Sequence, residues 1–171
     1  LVDINKARLL DGWMFEPDLE WLAIQASNHK KILELGAYRG RSTRALCDNT
    51  NGTVITVDNW NTEGIADEYD HDCFRNSLSD HLFSGKLISY RQNTDDYLDY
   101  FINKGHKFDF IFIDAWHEYA QVKKDIEGCL KILEQGGMIS GHDFNWPGVE
   151  QAVKELIPDY NLFNYIWYKE I

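Results

Sequence analysis

A chain of 171 residues is long enough for one domain with a sizeable core and too short for two ordinary ones. Its net charge of −11, from 17 basic and 28 acidic residues without a basic stripe, argues against a nucleic-acid ligand, and no apolar run is long enough to span a bilayer. The three cysteines, Cys47, Cys73 and Cys129, are odd in number and far apart, forming neither a zinc pair nor a disulfide framework; with no leader-like start in LVDINKARLL, the expectation is a reducing cytoplasm.

Taken in chain order, Leu19, Leu22, Ala23 and Ala26 predict a helix before a first strand at Lys31–Leu35. A glycine-bearing turn then leads into a second helix, followed by a strand at Thr53–Asp58. Phe74, Leu78 and Leu82 predict one further helix, and Leu87–Gln92 a third strand. Helical residues Thr94–Asn103 precede "FDFIFIDA", a strand over Phe108–Asp114 that is apolar on both alternating faces, as a strand covered on both sides must be. Tyr119, Val122, Ile126, Leu130 and Leu133 mark an amphipathic helix ended by Gly136-Gly137, before a strand at Met138–His142. Val149, Ala152, Val153 and Leu156 make a last helix that stops at Pro158. "YNLFNYIWYKEI" has no room for another crossover and reads as a terminal hairpin. The pattern is α/β, a single doubly wound, mostly parallel sheet over residues 1–171 with a C-terminal antiparallel hairpin. Ligands of such sheets bind beyond the carboxyl ends of the strands.

The first strand end, "ELGAYRGRST", has glycines at 36 and 40. Gly36 can take positive φ and leaves no Cβ in the way of a ligand; Gly40 permits the turn into the helix. Ser42 and Thr43 lie near the helix N-terminus, where free N–H groups favour an anion such as a carboxylate. The spacing is not the dinucleotide fingerprint, and a negative Glu34 would repel a pyrophosphate and suit a cofactor carrying positive charge. Asp58, roughly 20 residues further on, is placed to accept hydrogen bonds from a ribose diol, or else to cap the loop that follows its strand.

"ELGAYRGRST", Asp58, "FDFIFIDAWHEY" and "GGMISGHD", in this order, resemble the class I S-adenosylmethionine-dependent O-methyltransferases over residues 13–157. The first segment resembles catechol O-methyltransferase; the later ones resemble the bacterial macrocin and mycinamicin sugar O-methyltransferases. The resemblance implies a Rossmann-like methyltransferase sheet that binds S-adenosylmethionine. Glu34, Gly36 and Tyr38 would surround the methionine part, Ser42 would bind its carboxylate and Asp58 its ribose, with Gly40 also among the cofactor-binding residues. Asn93, Thr94 and Asp95 would edge the adenine pocket, with Trp116 packed on the purine; without the resemblance Trp116 reads as a core or interface aromatic.

Asp114, His117, His142 and Asp143 belong at neighbouring strand ends and form the chemically distinctive set. Carboxylates with an imidazole can hold a divalent metal with positions left for substrate oxygens, which would acidify an attacking hydroxyl. The resemblance implies metal ligands at Asp114 and Asp143 and a general base at His117, whose imidazole titrates near neutrality. His142 stands where the relatives carry a carboxylate. As a third ligand it would weaken magnesium and favour manganese, iron or zinc. The simpler readings are a helix cap for His117 and loop ordering for His142 and Asp143. Segments 11–18 and 59–72 are the expected roof, the latter with five acids and no base, which disfavours a polyanionic acceptor.

The expected acceptor is a small hydroxylated molecule, a sugar or similar diol. The aromatic tail with Tyr160, Phe163, Tyr165, Trp167 and Tyr168 reads as a homo-oligomer surface or as the packed face of the hairpin. Two alternatives stand beside the transferase: a non-catalytic cofactor-binding protein on the same fold, and a nicotinamide-dependent oxidoreductase, which lacks its fingerprint here.

Overall fold

The structure is a computed structural model that describes residues 1–62 and 64–171. A 3₁₀ turn at Ala7–Leu9 precedes α1 (Glu16–Asn28), β1 (Lys31–Leu35), α2 (Arg41–Asn49) and β2 (Thr53–Asp58). Then come α3 (Glu68–Ser77), α4 (Ser79–Ser84), β3 (Leu87–Arg91), α5 (Thr94–Lys104) and β4 (Phe108–Ile113). The chain closes with α6 (Tyr119–Ile132), β5 (Leu133–Gly141), α7 (Pro147–Leu156), β6 (Asn161–Phe163) and β7 (Ile166–Glu170).

The seven strands form one sheet in the order β3-β2-β1-β4-β5-β7-β6. The first five run parallel, β7 is antiparallel to β5, and β6 is antiparallel to β7. Strand order reverses between β1 and β4, which puts a crevice at their carboxyl ends.

Alternation along the strands divides the core into two layers. Ile32, Phe110 and Phe112 pack with Leu19 and Leu22 of α1 and Leu46 of α2. Leu33, Leu35, Ile111 and Ile113 pack with Leu98 and Phe101 of α5, Ile126 of α6 and Val153 of α7. Truncating one of these buried rings to alanine costs about 3–5 kcal/mol. Cys47 and Cys129 sit within the two layers, where burial pushes both thiols up, so they pack and do not react.

Three expected boundaries move. The helix expected through Phe74, Leu78 and Leu82 breaks into α3 and α4 at Leu78, whose φ of −116° and ψ of 14° leave the helical region. Helix α6 ends at Ile132, not at Gly136-Gly137, and β5 starts at Leu133, five residues before the expected Met138. There Leu133 pairs with Phe108, the register shifts, and Met138 pairs with Phe110. In the tail, Trp167 enters one core layer, and Tyr168, on the opposite face of β7, packs against Trp21 of the other with ring centroids 5.2 Å apart, while Phe163 and Tyr165 stay exposed. Among the described residues no helix is long and apolar enough to cross a membrane.

Candidate active site

A cavity of about 630 Å³ opens at the carboxyl ends of β1, β2, β4 and β5, a size suited to a small-molecule ligand. Both expected roof segments reach it, through Gly12, Trp13 and Met14 on one side and Asn59, Asn61, Thr62, Ile65 and Ala66 on the other. Glu63, within the second segment, lies outside the described residues.

The glycine loop contains three left-handed residues, Gly36 at φ 87°, Tyr38 at φ 47° and Gly40 at φ 89°. Asp58 braces it: Oδ2 accepts from the N–H of Ala37 at 2.8 Å and of Tyr38 at 3.0 Å, and Oδ1 accepts from Trp60 N–H at 2.8 Å. The buried Trp60 donates its indole N–H to Tyr38 O at 2.6 Å and clamps the same loop. Asp58 therefore caps the loop, and it lines the cavity as well.

Two residues expected to bind the cofactor are not on the cavity wall. Glu34 is fully buried and accepts from Ser42 Oγ at 2.6 Å, Thr43 Oγ1 at 2.5 Å and Thr56 Oγ1 at 2.8 Å. Its side chain points into the layer beneath α2 and supports the helix terminus rather than a ligand. Burial raises its pKa to about 7 against the pull of those hydroxyls, so it is only partly charged near neutrality. Gly40 faces α3, where an added Cβ would stand 2.6 Å from Leu78 Cδ1; its glycine serves helix packing. Gly36, Tyr38 and Ser42 do line the cavity, and beside Ser42 the first turn of α2 presents N–H groups without intrahelical acceptors.

At the far end the wall is made by Asn93, Thr94, Asp95, Trp116 and Gln121. Trp116 is 40% exposed, so it is a ring at the cavity edge, not a core aromatic. Gln121 was not expected. The only sequence signal for it was its place in the first turn of the helix that follows the Asp114–His117 strand end.

Between these ends lie the acids and imidazoles. The Asp114 carboxylate makes no hydrogen bond among the described residues, and burial pushes its pKa up. His117 Nε2 lies 2.9 Å from Asp143 Oδ2, and that bond raises the imidazole pKa against burial. Asp143 would itself be raised by burial, but His117 and His142 hold it well below the usual carboxylate range.

Ligand atoms of Asp114, His117 and Asp143 all lie within 4.8 Å of one another. Of the expected metal set Asp114, His142 and Asp143, the two acids fall in this cluster and His117 completes it; His142 is not part of it among the described residues. His142 Nδ1 is 3.2 Å from Asp143 Oδ1 and Nε2 is 3.4 Å from Oδ2 of Asp18, a fully buried acid of α1. Burial would lower the His142 pKa, but Asp143, Asp114 and Asp18 outweigh it and raise it to about 9. Both ring nitrogens thus face carboxylates, with Nε2 turned toward α1. Asn164 Nδ2, in the turn between β6 and β7, donates to the other oxygen of Asp18 at 3.0 Å. His117 in turn stacks on the half-exposed Trp146, with ring centroids 4.9 Å apart.

The family model described as a methyltransferase domain matches residues 33–144. No curated protein sequence matches the chain. Among solved structures, an O-methyltransferase from Bacillus cereus in complex with S-adenosylhomocysteine superposes with a TM-score of 0.73 at 20% identity, covering 98% of this chain and 87% of that one. The O-methyltransferase TomG of tomaymycin synthesis from Streptomyces achromogenes, in complex with S-adenosylmethionine, gives 0.71 at 14% identity, covering 98% and 87%. A TDP-rhamnose 3′-O-methyltransferase of calicheamicin biosynthesis gives 0.66 at 14% identity, covering 90% and 77%. These likenesses show the fold.

Proposed function

Because the chain belongs to the methyltransferase-domain family, we propose that it transfers a methyl group from S-adenosylmethionine to a hydroxyl of a small, sugar-like or otherwise diol-bearing acceptor. The observation that supports this reading is the His117–Asp143 pair on the wall of a cavity that has the N-terminus of α2 at one end and Trp116 at the other. The cavity fits the cofactor's parts. Backbone N–H groups of α2 suit its carboxylate, Asp58 Oδ1 keeps a free lone pair for the ribose, and the Asn93–Asp95 turn with Trp116 suits a purine.

When bound, S-adenosylmethionine supplies an electrophilic methyl group on a cationic sulfur. The acids around the cavity favour that charge, and they disfavour a polyanionic acceptor. Asp58, Asp95, Asp96, Asp114 and Asp143 line it against one arginine, Arg41. With the Asp143 carboxylate 2.9 Å from its Nε2, His117 is read as keeping its proton on Nε2 and its lone pair on Nδ1. His117 Nδ1 accepts the proton of the acceptor hydroxyl, and Asp143 stabilises the imidazolium that results. What remains is alignment of the acceptor oxygen with the methyl carbon, which the cavity walls provide by holding both partners.

The 4.8 Å cluster supports a second reading, in which a divalent ion takes part. Asp114, Asp143 and His117 would hold it, and two carboxylates with one imidazole favour manganese over magnesium. The chemistry it would supply is a lowered pKa of the acceptor hydroxyl.

The test is calorimetric titration of S-adenosylhomocysteine into the protein, followed by methyl transfer from labelled cofactor to a panel of diols with and without EDTA. Saturable binding and transfer abolished by His117→Ala support the transferase. Binding without any transfer favours the non-catalytic alternative, and no binding at millimolar ligand removes the proposal. Transfer that survives EDTA assigns the chemistry to His117 and Asp143 alone.

A further inference from the structure

Resting on the reading of the cavity as an S-adenosylmethionine site, we propose that Gln121 reads the 6-amino group of the cofactor's purine through its side-chain carbonyl, and that Asp95, Asp125 and Thr94 fix the amide for that purpose.

The hydrogen bonds leave the amide one orientation. Gln121 Nε2 donates to Asp95 Oδ1 at 2.7 Å and Asp125 Oδ1 at 3.1 Å, and it reaches Thr94 Oγ1 at 3.2 Å. Two of these partners are carboxylate oxygens, which only accept. The third is a hydroxyl whose own proton goes to Asp125 Oδ1 at 2.8 Å, leaving it an acceptor toward Gln121. Turning the amide over would set its oxygen against three acceptors. Gln121 Oε1 makes no hydrogen bond among the described residues, and Gln121 is on the cavity wall. It is a fixed, unspent acceptor.

Two neighbouring acceptors already hold a partner, and the third, Asp96, is distinguished from Gln121 by its own variant. Asp95 Oδ2 takes Lys124 Nζ at 3.1 Å, and Asn93 Oδ1 takes Asn59 Nδ2 at 3.2 Å. Asp125 is fully buried and has one oxygen, Oδ2, without a partner. A half-satisfied buried acid is costly, and orienting Gln121 and Thr94 is the one task its contacts show. A 6-aminopurine presents N–H donors to Gln121 Oε1. A 6-oxopurine presents an acceptor at the same place, and two acceptors repel.

The experiment compares S-adenosylhomocysteine with S-inosylhomocysteine by calorimetry. Wild type should bind the adenine compound at least about tenfold more tightly, the worth of one hydrogen bond plus an acceptor clash. In Gln121→Met, of similar length and without an acceptor, the preference should fall to within about twofold, mainly through weaker binding of the adenine compound. In Asp96→Asn, which alters the other acidic side chain at this end, the preference should persist. Equal binding of the two compounds by wild type overturns the proposal whatever the variants do, and so does a preference retained in Gln121→Met. If wild type binds neither compound, the cofactor reading itself fails, and that outcome is distinct from binding without discrimination.

Discussion

Glu34 is a carboxyl held by three hydroxyls inside the protein, and its ionisation enters the stability of the fold. Burial raises its pKa from 4.5 to about 7. The folded state thus binds a proton more tightly than the unfolded chain does. That contribution is complete below pH 4.5 and is lost as pH rises through about 7, with a slope of up to about 1.4 kcal/mol per pH unit. Glu34→Gln should remove this dependence, so that urea midpoints at pH 5 and pH 8 differ less in the variant than in wild type. Asp125, raised to about 6, and His142, raised to about 9, act in the same direction, but both remain in the variant and cancel in the comparison. An unchanged difference would mean that Glu34 is ionised throughout. At the acid–imidazole contact on the cavity wall, Asp143 is the main cause of the raised His117 pKa. Asp143→Asn keeps a residue that tolerates the φ of 57° found there and removes the charge. His117 should then titrate at lower pH, as read from its imidazole NMR signals, and methyl transfer should fall because the imidazolium has lost its stabilising partner. The assignment of His117 as an oriented base does not survive if its titration is unmoved.

At the scale of elements, the site depends on how closely β1 and β4 end beside each other. Gly36 has φ 87°, and a Cβ there would stand 2.0 Å from the carbonyl oxygen of Asp114, a backbone atom that cannot swing aside. Gly105, at φ 70° after α5, faces open space. Gly36→Ala should therefore cost about 3 kcal/mol or more, while Gly105→Ala costs about 1 kcal/mol for conformation alone. Comparison of denaturant midpoints checks this, and equal losses would refute the close approach. The contrast also shows what was legible in the sequence. The four β1–β4 strands and their carboxyl-end residues could be read from apolar alternation, because period and burial are local properties. The start of β5 could not. "LEQGG" looks like a turn, and it is drawn into the sheet by distant partners: Leu133 by Phe108, and the Gly136 and Gly137 backbone by Ile171, with Gly136 N–H on Ile171 O at 2.6 Å and Ile171 N–H on Gly137 O at 3.0 Å. The site divides in the same way. Asp114, His117 and Asp143 lie at strand ends and were visible. Asp18 and Gln121 come from helices, and the roles of Glu34 and His142 depend on side-chain direction and on a contact across 124 residues.

At the scale of the molecule, the first residues of the chain form part of the cavity wall and are tied to α2, by Asp3 with Asn49 at one end and by Arg41 nearer the cavity. Arg41 Nε donates to Met14 O at 2.8 Å, and its Nη1 donates to Arg8 O at 2.9 Å and Leu10 O at 2.5 Å. The strap so held carries Trp13, which packs on Tyr38 of the glycine loop with centroids 4.6 Å apart, and Gly12, Trp13 and Met14 all line the cavity. Arg41 also opens α2, next to the N–H groups proposed to receive the cofactor's carboxylate, so one side chain joins the strap to the anion end of the site. Ligand binding and strap order should then be coupled. With S-adenosylhomocysteine at about a hundredfold over its Kd, wild type should gain about 2.7 kcal/mol and melt about 5–10 °C higher. In Arg41→Met the aliphatic stem still packs, but three carbonyls lose their donor. The strap should become sensitive to limited proteolysis between residues 8 and 14, and the ligand-induced rise in Tm should shrink, with affinity down about tenfold. Far-UV circular dichroism should stay the same, because none of those carbonyls belongs to the sheet or to a long helix. If the variant resists the protease and keeps the full thermal shift, the strap is held by its other contacts, Trp13 on Tyr38, Asp11 with Arg39 and the buried Met14, and Arg41 is not what couples it to the site.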